Sequence, residues 1–369
     1  MRWREALMHD VGPGLLAGIS LGDWLKLLRD NRFAVTPSRI HRAMAIFFQS
    51  AQNSVFRKLE NARFRSKVQD IKIHPPLFVL GHWRNGTTHL HNLLSVDQRF
   101  AFPNTYQVVF PHTFLSTETA GSRLYGFLLT KKRPMDNIEW TMQAPQEDEV
   151  ELCNSTSMSP CLGWMFPERR DYYDRYLTFR GVTDSEIAVW EEAFRFFLKK
   201  LTWKYERPII LKSPPHTARI RLLLRMFPEA KFVHIHRNPY TVFHSSKKMF
   251  SININMNRLQ ASPSDLDEWI FRQYRQMYEA FFEDRNLIGK GNYHEVRFED
   301  LERDPIGQMR KLYETLGLPD FAQTESTLRN YVNSIATYKK NKYSDLSPDL
   351  RNRIAKEWSR CFEEWNYAI

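Results

Sequence analysis

A central parallel sheet flanked by helices, with an N-terminal helical extension, is the α/β fold this sequence predicts. Three observations predict it. Short apolar runs of strand length recur at 77–81, 208–212 and 231–235. Each leads through a turn or loop into a segment with apolar residues at helical spacing. The alternation of strands with helices of this length indicates a sheet wrapped on both faces. In such sheets ligands sit at the carboxyl ends of the strands, so Gly81, Lys212 and Arg237 become the positions of interest.

Taken in order, residues 1–72 read as mostly helical, with apolar positions at helical spacing through WLKLL at 24–28 and again through 42–64. The run LFVLG then forms a short buried strand ending in a Gly-containing turn, and from Thr87 the residues Leu90, Leu93 and Leu94 share one helical face. Residues 100–205 are richer in aromatics and prolines, and are expected to be a helical and loop insertion covering the site within a domain that runs from 73 to 369. PIILK at 208–212 is a strand, TARIRLLLRMF at 217–227 a helix, KFVHIHR at 231–237 a strand, and TVFHSSKKMF restarts a helix. The tail from about 306 is helical, with QMRKLYETLGL and RNRIAKEWSRCFEEW as amphipathic segments.

The formal net charge of +11 favours an anionic partner. The basic residues are spread along the chain with no long block and no nucleic-acid signature, which argues against nucleic acid. A phosphorylated small molecule or a membrane surface remains. Cys153, Cys161 and Cys361 are the only cysteines and show no CxxC spacing, so neither a disulfide scaffold nor a zinc site is expected and a reducing, cytoplasmic interior fits. The opening MRWREALMHD lacks the apolar core and cleavage site of a secretory signal. No apolar run reaches the roughly 18 residues of a spanning helix. AMAIFF at 43–48 lies in a basic amphipathic segment that is compatible with peripheral membrane contact, although packing on its own domain is the plainer reading.

Two motifs carry the chemistry. GHWRNGTTHLHNLL at 81–94 sets a glycine at each end of a four-residue loop between a strand and a helix. Gly81 and Gly86 permit a tight backbone whose amides, with the positive end of the helix, suit oxyanions. The spacing matches the P-loop pattern except that Thr87 stands where that pattern has lysine, and the only loop cation is Arg84. The second motif, HRNPYTVFHSS at 236–246, again follows a strand and opens a helix. It supplies Arg237 as a fork donor and Ser245 and Ser246 as hydroxyls, a set suited to a terminal phosphate.

The run Arg84, Asn85, Gly86, Thr87, Thr88 resembles the loop of the sulfotransferases that use 3′-phosphoadenosine 5′-phosphosulfate (PAPS). The resemblance implies a P-loop-like sulfotransferase fold in which Arg84, Thr87 and Thr88 hold the 5′-phosphosulfate, with Asn85 in place of the commoner serine. It also implies that Arg237 and Ser245, with the family's eight-residue separation, hold the 3′-phosphate. NYHEVRFEDLERDP at 292–305 resembles a structural strand and acidic turn of the family, and Lys340 and Asn341 in TYKKNKY resemble a late basic loop closing over the nucleotide. The likeness spans about residues 73–365 and is nearest the bacterial and tyrosylprotein-type enzymes; the RKGxxGDW-like segment of the cytosolic type is absent.

Sulfuryl transfer needs a base, cations for charge spreading onto the sulfuryl oxygens, and in-line geometry, but no metal. Lys212, after a wholly apolar strand, corresponds by resemblance to a lysine that contacts the transferring group. Related enzymes often carry a Glu about twenty residues beyond the loop, where this chain reads NTYQVVFPH without a carboxylate. Suspicion therefore moves to PQEDEVEL at 145–152, where Pro145 is expected to begin a helix with Glu147, Asp148 and Glu149 in its first turn. Clustered carboxylates raise one another's pKa, and Glu147 and Glu149 are the candidate bases, with His112 and His216 in reserve. Acidic residues also occupy helix N-termini for the dipole alone. The acceptor, a hydroxyl or amine, is open among lipid, sterol, glycan and small alcohol. A P-loop kinase or NTPase, and a catalytically silent nucleotide-binding protein, are the alternatives.

Overall fold

A computed structural model describes residues 12–128, 135, 138–337 and 346–369. The chain forms two compact units: Met1–Ile73, Pro103–Glu206 and Phe250–Ser264 make the first, and His74–Phe102, Arg207–Met249 and Asp265–Ile369 the second.

The second unit holds the sheet. Its strands are β1 (Leu77–Leu80), β2 (Ile210–Lys212), β3 (Lys231–His236) and β4 (Tyr293–Arg297), all parallel in the order β2-β1-β3-β4. The register sets Phe78 between Leu211 and Phe232. Every residue of β1 and β2 is buried, which is why those strands read as unbroken apolar runs instead of alternating ones. The chain visits β2 on one side of β1 and then crosses to β3 on the other. That reversal makes the carboxyl ends of β1 and β3 the crevice where an open α/β sheet binds ligand. One side of the core joins Leu77, Val79, Val233 and Ile235 to Leu90 and Leu94 of the Thr87–Leu94 helix. The expected helix at 217–227 is realised as a short 3-10 turn, Pro214–Ala218, followed by Ile220–Met226.

The first unit is helical. A 29-residue helix, Ile40–Val68, and a 22-residue helix, Asp184–Tyr205, are its longest members. The second of these starts at a capping box in which Thr183 and Glu186 satisfy each other's backbone N–H groups. The two helices are tied by a buried ion pair, Lys200 with Glu60, whose lysine also donates to the Pro111 carbonyl at 2.6 Å. Asn53 donates to the carbonyls of Ala17 and Ile19, fixing the N-terminal segment to the long helix.

Candidate active site

The loop after β1 has the geometry its glycines foretell. Gly81 sits at φ +141°, and a Cβ there would lie 2.5 Å from the Ile235 carbonyl oxygen. Gly86 sits at φ +98°, and its Cβ would fall 2.2 Å from the ring of Phe298. Neither place admits a side chain. Arg84 itself adopts positive φ, an uncommon state for a residue with a Cβ. The loop is bonded from several directions: Gly81 N–H donates to Thr217 Oγ1 at 2.7 Å, and the Asn85 amide donates to the Ile235 carbonyl at 3.0 Å and to Tyr278 Oη at 2.6 Å. The Asn85 side chain is thus buried and engaged in shaping the loop. The Thr87–Leu94 helix begins immediately after Gly86, so the positive end of its dipole faces the loop.

The two phosphate motifs meet. Arg84 Nε donates to Ser245 Oγ at 2.8 Å across 161 residues of sequence, and Arg237 Nη1 lies 3.4 Å from the Arg84 carbonyl. Arg237 stacks its guanidinium 4.1 Å over the Phe298 ring, which leaves a flat cation braced from one face. Ser245 and Ser246 are both buried in the Pro239–Asn257 helix, and Ser246 Oγ has no protein hydrogen-bond partner. Lys212, at the end of β2, is 1% exposed with Nζ 3.4 Å from Thr88 Oγ1. A lysine buried to that degree is not a solvated surface charge. Arg84, Thr88, Lys212, Arg237 and Ser245 therefore gather at the carboxyl ends of three neighbouring strands, in a set rich in cations and hydroxyls. His216 is fully buried in the turn after Lys212, edge-on to Phe78.

The acidic segment and His112 belong to the first unit. Its helix is Glu149–Ser155, and begins four residues later than Pro145 suggests. Pro145 instead forms a bridge with Asn104, and Gln146 N–H donates to the Pro103 carbonyl, so this stretch is held extended. Glu147 precedes the helix and is partly exposed, whereas Asp148, Glu149 and Glu151 are buried. The raised carboxyl falls on Glu151: burial pushes it well up, and the charges of Asp148 and Glu149 add to this against a hydrogen bond from Ser155. Burial, with the Arg57 and Lys200 cations, pushes His112 down to about 3, so its ring stays neutral. Lys340 and Asn341 lie outside the described residues.

Several supporting residues have no sequence signature. Tyr278 bonds both Asn85 and, at 3.4 Å, the His82 amide. Phe298 fills the space behind Gly86 and beneath Arg237. The C-terminal Tyr367 donates to Glu299 Oε2 at 2.9 Å, and Glu299 Oε1 accepts from the Asn238 amide at 3.2 Å, next to Arg237. Of these, only Phe298 and Glu299 fall within the 292–305 run that the sequence marks as a structural element. Among the described residues, no group of three or more His, Cys, Asp or Glu is arranged to hold a metal ion.

The chain is similar to known proteins in both sequence and fold. A model of the Sulfotransferase family matches residues 75–323. The chain is 37% identical, over 99% of its length and 93% of theirs, to proteins of Mycobacterium bovis and Mycobacterium tuberculosis named omega-hydroxy-beta-dihydromenaquinone-9 sulfotransferase Stf3. In fold it is similar to sulfotransferase STF1 from Mycobacterium tuberculosis, with a TM-score of 0.68 at 17% identity over 92% of each chain. It is also similar to STF9 from Mycobacterium avium, at 0.68 and 20% over 90% of this chain and 86% of that one. The chain belongs to the sulfotransferase family and is an enzyme that transfers a sulfuryl group.

Proposed function

We propose that this sulfotransferase takes its sulfuryl group from PAPS and passes it to the hydroxyl of a lipid-type acceptor. The observation that carries the donor assignment is the 2.8 Å bond from Arg84 to Ser245, which joins the loop suited to a 5′-phosphosulfate to the strand end suited to a 3′-phosphate. The donor set fits the molecule: hydroxyls, forked cations and the orphaned, buried Ser246 Oγ. Arg84, Thr87, Thr88 and the loop amides, shaped by Asn85 and Gly86, would hold the phosphosulfate; Arg237 and Ser245 would hold the 3′-phosphate. PAPS supplies an activated sulfuryl group on a phosphate leaving group. Lys212, buried beside Thr88, stabilises negative charge building on the oxygens during transfer. Glu147 or Glu149 takes the acceptor's proton, with His216 in reserve. Family membership sets aside the kinase and NTPase alternative, which Thr87 in the lysine position already disfavoured.

A lipid acceptor is supported by the mycobacterial relatives, whose name specifies a hydroxylated dihydromenaquinone. Peripheral membrane contact through the N-terminal helices belongs to the same reading. No helix among the described residues is long and apolar enough to cross a membrane. Cys153, Cys161 and Cys361 are all buried.

Calorimetry tests the donor assignment. The protein should bind 3′-phosphoadenosine 5′-phosphate far more tightly than 5′-AMP. Arg237→Ala should weaken the bisphosphate by about 10- to 150-fold, the equivalent of losing one charge-assisted contact of about 1.5–3 kcal/mol. Equal affinities of the unaltered protein for the two nucleotides would overturn it.

A further inference from the structure

The Ile40–Val68 helix is turned inside out. Its buried positions are Arg42, Ile46, Ser50, Asn53, Glu60, Phe64 and Val68, four of them polar or charged. Ile40, Met44, Phe48, Val55 and Leu59 are all exposed, to between 46% and 66%. At 3.6 residues per turn these five fall within about 100° of one another, on the side opposite the buried set, in a stripe about 28 Å long. The helix cannot roll to hide them, because its polar side is already engaged within its own unit. Asn53 bonds two carbonyls, Glu60 pairs with Lys200, and Arg42 donates to the Met256 carbonyl. The Phe114–Leu128 helix, joined to it by Tyr125 Oη donating to Gln49 Oε1 at 3.1 Å, also exposes Leu124 and Phe127, to 65% and 58%. Ten of the fourteen exposed large apolar side chains among the described residues lie between 25 and 127 in this unit. The five on the Ile40–Val68 helix share one face, where scattered single residues would be ordinary.

Charge selects the occupant. The helix carries Lys58, Arg63, Arg65 and Lys67 along its second half; Arg57 is paired with Asp23 at 3.2 Å, and the helix's sole carboxylate, Glu60, is buried against Lys200. Arg29 and Arg32, just upstream, are exposed as well. A second copy of the chain would set like charges against each other, whereas an anionic bilayer is complementary to both the charge and the apolar stripe.

We infer that the outward face of the Ile40–Val68 helix docks on the surface of an anionic lipid bilayer, with Met44, Phe48 and Leu59 entering the interface and the flanking cations on the headgroups. This rests on the reading that the N-terminal helices meet the membrane, and gives that contact a face and a lipid charge. It is independent of the donor assignment.

Flotation with vesicles of phosphatidylglycerol and phosphatidylcholine, against vesicles of phosphatidylcholine alone, tests it on the full chain. The protein should float with the anionic vesicles, less with the neutral ones, and release at high salt. The double variant Phe48→Ser, Leu59→Ser should bind on the order of tenfold or more weakly, since each side chain is already exposed and only the lipid contact is lost. Lys58→Glu with Arg63→Glu should abolish the preference for anionic vesicles. Both variants should melt like the parent and keep its affinity for 3′-phosphoadenosine 5′-phosphate in vesicle-free solution. If the parent binds vesicles and the Ser variant binds equally well, the membrane reading stands and this face is wrong. If the parent binds neither vesicle, both fall. If light scattering finds a dimer that Phe48→Ser separates, the occupant is a second copy and the inference is overturned.

Discussion

Lys212 and Arg237 are both cations at strand ends, yet their surroundings differ. Arg237 is braced on Phe298 and reaches the Arg84 carbonyl, a fixed fork suited to holding a phosphate in ground and transition state alike. Lys212 is buried, its ammonium group beside Thr88 of the loop proposed to hold the phosphosulfate. Its removal should therefore act on turnover more than on binding of the product nucleotide, which has no sulfuryl group. Lys212→Ala should lower kcat by about 100- to 1,000-fold, the scale of one preorganised charge-stabilising group, and Lys212→Arg should restore only part. In the same assay Glu147→Gln or Glu149→Gln should abolish turnover while nucleotide affinity stays within about threefold, roughly 0.7 kcal/mol. If both Gln variants turn over normally, the acidic segment serves the fold and His216 becomes the better base. His112, held neutral by burial and two cations, is a weak proton acceptor.

At the scale of elements, the strand end that carries Arg237 is held by the end of the chain. Tyr367 Oη lies 3.0 Å from His236 Nδ1 and donates to Glu299, which in turn accepts from the Asn238 amide. Trp365 stacks on His236 with ring centroids 4.8 Å apart and donates to Glu295 at 2.9 Å. Tyr367→Phe removes the bridge while keeping the ring. Affinity for 3′-phosphoadenosine 5′-phosphate should fall about 2- to 12-fold, the effect of one hydrogen bond of 0.5–1.5 kcal/mol. Affinity for 5′-AMP should be unchanged, and loss of both would instead indicate general loosening. The sequence marks the run around Glu299 only as a structural element, and the contact with Tyr367 is not legible there, because the two residues are far apart along the chain and neither belongs to a periodic pattern. The strand-loop-helix units were legible, since glycine at 81 and 86 and unbroken apolar runs are local signals with local causes. Pro145 misled because a proline is equally at home in an extended stretch, and here pairing with Asn104 decides the matter.

For the whole molecule, buried histidines make stability depend on pH. His82 is fully buried, its Nδ1 2.8 Å from the Trp83 carbonyl; burial outweighs that bond and pushes the ring down to about 3. His236, also buried and beside His234, is likewise pushed down to about 3. An unfolded chain protonates such rings near 6.5, so the folded protein refuses protons that the unfolded chain accepts. Stability from these two groups is complete above pH 6.5 and drains away as pH falls towards 3. At pH 5 each has lost on the order of 2 kcal/mol. Glu151 works in the opposite sense, because its raised carboxyl costs stability at neutral pH and relieves that cost on acidification. A bare pH scan therefore mixes the two, and the informative quantity is a difference. His82→Asn keeps an amide able to donate to the Trp83 carbonyl but has nothing to protonate. Urea unfolding of both proteins at pH 7.5 and pH 5 should show the parent's advantage over His82→Asn shrinking by about 2 kcal/mol between the two. A difference that stays constant would mean that His82 is not held neutral in the folded state, and that the loop before Arg84 is open enough to admit a proton with its water.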